Sequence, residues 1–96
     1  MAAYFLFDNL TVADPAALEQ YKRLAGPVVE QFGGRYVAIG GPTELLEGAW
    51  TPTHPVLIEF PTAAQARAWY HSDVYRALKA LRLSAVRSNA VLIEGL

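Results

Sequence analysis

The chain has 96 residues, 53% of them hydrophobic, and a formal net charge of −1. That length makes one domain with a small core, residues 1–96, and the near-neutral charge without a basic run excludes the electrostatic footprint of a nucleic-acid binder. With no cysteine, disulfides, thiolate nucleophiles and zinc–thiolate sites are ruled out. Along the chain, Tyr4 to Val12 reads as a strand, with Tyr4, Leu6 and Leu10 on one face and Phe5 and Phe7 on the other. Both faces are apolar, so both require a cover. Asp14-Pro15 opens a helix as N-cap and first helical residue. Leu18, Tyr21, Ala25, Val28 and Phe32 recur along it at helical spacing, and Gly26-Pro27 predicts a kink.

Gly33 or Gly34 then supplies a left-handed stop. Arg35–Ile39 and Glu44–Glu47 read as short strands about a Gly40-Gly41-Pro42 turn, followed by a loop over 49–55 and an apolar strand at Val56–Phe60. Thr62 with Gln65 matches a capping box for a helix carrying Ala66, Trp69 and Tyr70 on its apolar face. Ser72-Asp73 restarts a helix through Tyr75, Leu78, Leu81 and Arg82, and residues 86–94 form the last strand. The fold class is α+β: a ferredoxin-like βαββαβ plan with an extra hairpin strand. Helices cover one sheet face. The other, still apolar, is expected to meet the same face of a second subunit in a dimeric α+β barrel.

The segments Phe32-Gly33-Gly34-Arg35, Gly40-Gly41, Leu46-Glu47-Gly48, Val56–Pro61 and Ala68–Tyr75, followed by Leu81-Arg82, carry a family likeness. Over about Tyr4 to Gly95 the chain resembles the domain of unknown function 1330 family, within the dimeric α+β barrel superfamily. The resemblance implies a homodimer and a small-molecule pocket between sheet and helices. The superfamily includes cofactor-free monooxygenases, muconolactone isomerases, chlorite dismutases and transcription-regulator ligand domains, so fold membership alone selects no reaction.

Among the residues themselves, Glu59 stands out as a carboxylate in the most apolar strand. It is either an acid–base group in a pocket or the partner of Arg35, Arg82 or Arg87 in an ion pair. His54, at the entrance to the same strand, is a candidate general base, and otherwise a solvated surface residue. Arg35 suits an anionic ligand through its planar fork, or pairs with Glu47 across the hairpin. Trp69 and Tyr75 read as pocket walls or core, and Tyr70, Tyr75 and Arg82 as a group able to hydrogen-bond a small polar molecule. The two histidines lack the spacing of a metal pair, and no cofactor motif is present. Two readings follow: a cofactor-free monooxygenase- or isomerase-like enzyme, and a non-catalytic ligand-binding or stress-associated dimer. Absence of cysteine and of a basic, apolar leader at Met1–Phe5 points to the cytoplasm. No apolar segment approaches the roughly 18 residues of a membrane helix, so no membrane partner is expected.

Overall fold

The computed structural model describes Met1–Leu96. Strand β1 (Ala3–Val12) leads into helix α1 (Pro15–Gln31), strand β2 (Arg35–Ile39) and strand β3 (Pro55–Phe60). Helices α2 (Ala63–Tyr70) and α3 (Asp73–Ala85) and strand β4 (Val86–Glu94) complete the chain. The helix starts follow from local chemistry. Asp14 Oδ1 accepts the Ala17 N–H at 3.1 Å, Thr62 Oγ1 accepts that of Gln65 at 3.1 Å, and Ser72 Oγ accepts that of Tyr75 at 3.1 Å. Helix α1 ends on Gly33, whose φ of +83° places it in the left-handed region. Pro27 lies inside α1, which continues through it to Gln31.

The strands form one antiparallel sheet in the order β2-β3-β1-β4, the ferredoxin-like arrangement. Phe5 and Phe7 share a face with Ile58 and Phe60, and against them pack Trp69, Tyr75, Val29 and Ala25 from the helices. Trp69 is fully buried, 4.3 Å from Tyr75, 5.2 Å from Phe5 and 5.4 Å from Phe60 between ring centroids. The register puts Tyr4 opposite Glu59 and Ile93, and Leu6 opposite Leu57 and Val91, all on the face without helices. Val91 and Ile93 are exposed there.

The expected strand at Glu44–Glu47 does not form: residues 41–54 contain no strand, and the sheet has four strands only. Two local features account for this. Gly40, with φ +59°, still donates its N–H to the Pro55 carbonyl at 2.7 Å, so the chain leaves β2 latched to β3 rather than folded back on β2. Pro42 also lacks the N–H that a hairpin ladder needs. The segment is an open loop that exposes Leu46 and Trp50. It is tied to β1 by Asp8 Oδ1, which accepts the N–H groups of Thr53 and His54, each at 2.9 Å. The cap of α2 is tied back to α1, since Gln65 Nε2 donates to the Phe32 carbonyl at 3.3 Å.

Candidate functional site

Between α1 and the helix-facing side of the sheet lies a cavity of about 250 Å³. Phe7, Val56 and Ile58 form its floor on the sheet, Leu18, Tyr21 and Gly26 its wall on α1, and Tyr36 its side on β2. Lys22 and Ile39 are its exposed members and mark the mouth. Arg82 and Lys22 are the charged residues of the lining, and no carboxylate lines it.

Arg82 comes from the last turn of α3 and is only 4% exposed. No salt bridge involves it. Its Nε donates to the Tyr75 hydroxyl at 3.3 Å and its Nη1 to the Ser88 hydroxyl at 3.1 Å, which leaves Nη2 without a protein acceptor. The guanidinium carbon stands 4.9 Å from the centroid of the Phe7 ring, a cation–π contact. Burial works against the charge, but the interactions with Tyr75, Tyr21 and Tyr70 together outweigh it and the pKa is raised, so the group remains a cation.

The Tyr75 hydroxyl also lies 2.7 Å from that of Tyr21. The two hydroxyls share one hydrogen bond, and Tyr75 already accepts from Arg82. Whichever donates, one hydroxyl proton is left without a protein acceptor. Donation by Tyr75, which is fully buried, leaves that proton on Tyr21 at the cavity wall. Burial, followed by the contact with Tyr75, pushes the Tyr21 phenol far above its ordinary range. Burial likewise pushes Tyr36 up to about 12. Both therefore stay protonated donors at neutral pH. Asn9 lies in the same face row as Phe5 and Phe7, is 8% exposed, and its Oδ1 has no hydrogen-bond partner. The cavity thus pairs an apolar body with hydrogen-bond donors and positive charge, an arrangement that suits an anion. Nowhere in the chain do three His, Asp or Glu side chains converge as metal ligands.

Of the site residues singled out from the sequence, Arg82 alone lines this cavity, and Tyr75 stands directly behind it. Trp69 belongs to the core beneath Phe5 and Phe60. Tyr70 stacks on Phe5 at 5.4 Å, with the Lys79 ammonium 4.4 Å from its ring centroid. Glu59 and Arg35 meet on the opposite sheet face, where Arg35 Nε donates to Glu59 Oε1 at 2.7 Å and the Tyr4 hydroxyl donates to Oε2 at 3.0 Å. Those two hydrogen bonds, from Arg35 first and Tyr4 second, hold the Glu59 carboxyl below its ordinary value. Arg35 does not reach Glu47, because the hairpin that would have joined them is absent. His54 stands beside Gly40 at the end of β3, and its Nε2 is buried without a partner. The Asn9 N–H donates to the His54 carbonyl at 3.1 Å.

Tyr21, Tyr36, Asn9, Lys22 and Gly26 were not singled out by sequence. Tyr21 recurs with Leu18 and Ala25 at helical spacing and reads as ordinary core. Asn9 did carry a signal, since a carboxamide continues the row Phe5–Phe7 on a face that buries everything else.

The comparisons with known proteins agree with this architecture. A structure of a protein of unknown function from Rhodopseudomonas palustris is 26% identical, with a TM-score of 0.75 over 99% of this chain and 82% of that one. A dimeric ferredoxin-like protein of unknown function from Thermobifida fusca is 18% identical, with a TM-score of 0.65 over 99% and 92%. A mutant of a cofactor-independent oxygenase from Streptomyces nogalater is 12% identical, with a TM-score of 0.64 over 98% and 91%; at such identities the likeness is one of fold. The search of curated proteins returned no match. The family profile described as domain of unknown function (DUF1330) matches residues 2–96, and the chain belongs to that family.

Proposed function

We propose that this chain is a homodimeric small-molecule-pocket protein, one domain per subunit. It takes a compact anionic compound into the cavity under α1 and acts on it as a cofactor-free oxygenase- or isomerase-like enzyme. The observation that carries this reading is Arg82: a buried guanidinium with no carboxylate partner, on the wall of a largely apolar cavity. Burying a charge is costly unless it is paired, and a ligand anion supplies the pair. Oxygenation without a cofactor and isomerisation both pass through an electron-rich enolate or phenolate. A guanidinium and a tyrosine hydroxyl, preset on the wall of a largely apolar cavity, stabilise that oxygen. In this reading Arg82 holds the anion, Tyr75 positions Arg82, and Tyr21 donates to the bound oxygen.

The dimer reading rests on the apolar row Leu6, Leu57, Val91 and Ile93 on the helix-free face. The Thermobifida fusca protein of the same fold, described as dimeric, is in keeping with it. The Arg35–Glu59–Tyr4 group on that face then serves subunit contact rather than chemistry.

A second reading, ligand binding without catalysis, is favoured by one observation: no carboxylate or imidazole lines the cavity. Oxygen uptake measured with a panel of hydroquinones and ionisable phenols separates the two. Saturable uptake that Arg82→Gln abolishes supports the enzyme. Saturable binding without uptake or isomerisation supports the second reading, and absence of binding defeats both.

A further inference from the structure

We propose that the cavity is built for a monoanion with one or two fused rings, its carboxylate or phenolate on Arg82, and that Gly26 sets the upper limit of ligand size. This rests on the small-molecule reading above and goes further in naming the ligand class and the residue that bounds it.

The size follows from volume. A buried apolar cavity of roughly 150 Å³ accommodates benzene, whereas pockets for drug-sized ligands begin at roughly 300 Å³. At about 250 Å³ this cavity exceeds the first and falls short of the second. It fits a substituted ring or a compact bicycle, not an extended polycycle. The shape of the floor agrees, because Phe7, Val56 and Ile58 present flat apolar surface from neighbouring strands.

The charge follows from the polar groups. Arg82 Nη2 has no protein acceptor, the Tyr21–Tyr75 pair has a hydroxyl proton to spare, and no carboxylate competes for either. Donors thus outnumber acceptors on this wall. A carboxylate or phenolate oxygen satisfies them, while an amine or a neutral hydrocarbon leaves them unmet.

The limit follows from Gly26. It lines the cavity from within α1, and a Cβ built there meets nothing within 4 Å. Its φ is not in the left-handed region. Glycine in a helix interior is otherwise unfavourable; here it precedes Pro27, whose ring crowds a Cβ on the residue before it, and no close packing partner fills the space beside it. Its effect is to leave the wall bare where a ligand ring would lie. A larger side chain at this position enters open space at the cavity wall, and a measurement of folding beside the binding assay separates cavity filling from unfolding.

The test is titration calorimetry with sodium 2-naphthoate, the neutral isostere 2-naphthalenemethanol and sodium pyrene-1-carboxylate, on the full chain and on Gly26→Leu and Arg82→Lys. The expected result is saturable 2-naphthoate binding, at least tenfold weaker binding of the alcohol, and no binding of the four-ring acid. Gly26→Leu is expected to weaken 2-naphthoate at least tenfold while remaining folded by circular dichroism. Arg82→Lys is expected to keep part of the preference for the anion. Equal affinity for alcohol and anion overturns the assignment of Arg82. Undiminished 2-naphthoate binding by folded Gly26→Leu, or binding of the pyrene acid, overturns the size limit. Failure of the wild-type chain to bind either naphthalene compound overturns the pocket reading itself.

Discussion

The hydroxyls of Tyr21 and Tyr75 lie 2.7 Å apart in the buried interior and join α1 to α3 across 54 residues of sequence. Because Tyr75 also accepts from Arg82 at 3.3 Å, one phenol oxygen connects the helix layer to the charged wall of the cavity. Tyr75→Phe keeps the ring against Trp69 but strands the Tyr21 hydroxyl and the Arg82 Nε. Leaving buried polar groups unsatisfied costs about 1–3 kcal/mol, or about 4–8 °C in melting temperature per kcal/mol for a domain of this size. Urea denaturation of Tyr75→Phe and Tyr21→Phe checks this. A loss under about 0.5 kcal/mol in both would show that the chain of donors contributes little.

Glu59 provides the pH dependence. Its folded-state pKa is depressed by hydrogen bonds from Arg35 and Tyr4. The ionised carboxylate therefore adds stability above its unfolded value of about 4.3. That increment is lost as pH falls through the lower folded value. Glu59→Gln removes the titration, so the stability gap between wild type and mutant should narrow steadily from about pH 6 to about pH 3. Denaturant midpoints across that range are the measurement, and parallel curves would exclude the linkage.

At the end of α1 two glycines are needed for different reasons. Gly33 has φ +83°, which a β-branched residue resists. Gly34 has an ordinary φ, but a Cβ there would stand 2.6 Å from the Phe60 ring and 2.8 Å from Val29. Gly33→Val is expected to cost about 1–3 kcal/mol, and Gly33→Asn less, since asparagine tolerates the left-handed region. At Gly34 even alanine should be poorly tolerated. Thermal melts of Gly33→Val, Gly33→Asn and Gly34→Ala test the pattern, and equal tolerance of all three would refute it.

The helix-free sheet face predicts assembly. Val91 and Ile93 are 52% and 46% exposed, so an aspartate at either position can be hydrated in an isolated subunit. Val91→Asp and Ile93→Asp should leave the fold intact and weaken self-association at least about tenfold, equivalent to about 1.4 kcal/mol. Sedimentation velocity decides this. A wild-type chain that sediments as a monomer at micromolar concentration would end the dimer reading.

What the sequence by itself determined about this protein was local. Asp14, Thr62 and Ser72 cap their helices because each side chain reaches an N–H three residues on. Gly33 stops α1 because its own backbone freedom supplies the left-handed turn. The alternation in β1 and the apolar run of β3 announced a sheet with two apolar faces, and with the element order the ferredoxin-like plan. What only the tertiary structure decided was partnership between distant segments. Glu44–Glu47 has strand-like composition but does not fold back on the free edge of β2, since Gly40 remains bonded to Pro55. Arg35 meets Glu59 through the β2–β3 register, not Glu47 through a hairpin. Arg82 reads in the sequence as a ligand-binding candidate grouped with Tyr70 and Tyr75. It becomes a buried, unpaired charge because Phe7 of β1 packs against it, with Tyr75 two turns earlier on its own helix and Ser88 near the start of β4. Capping and turn conformation depend on atoms a few residues apart and are written in order along the sequence. Cavity walls and ion pairs depend on which strands and helices come to lie side by side, and that is settled only when the whole core has packed.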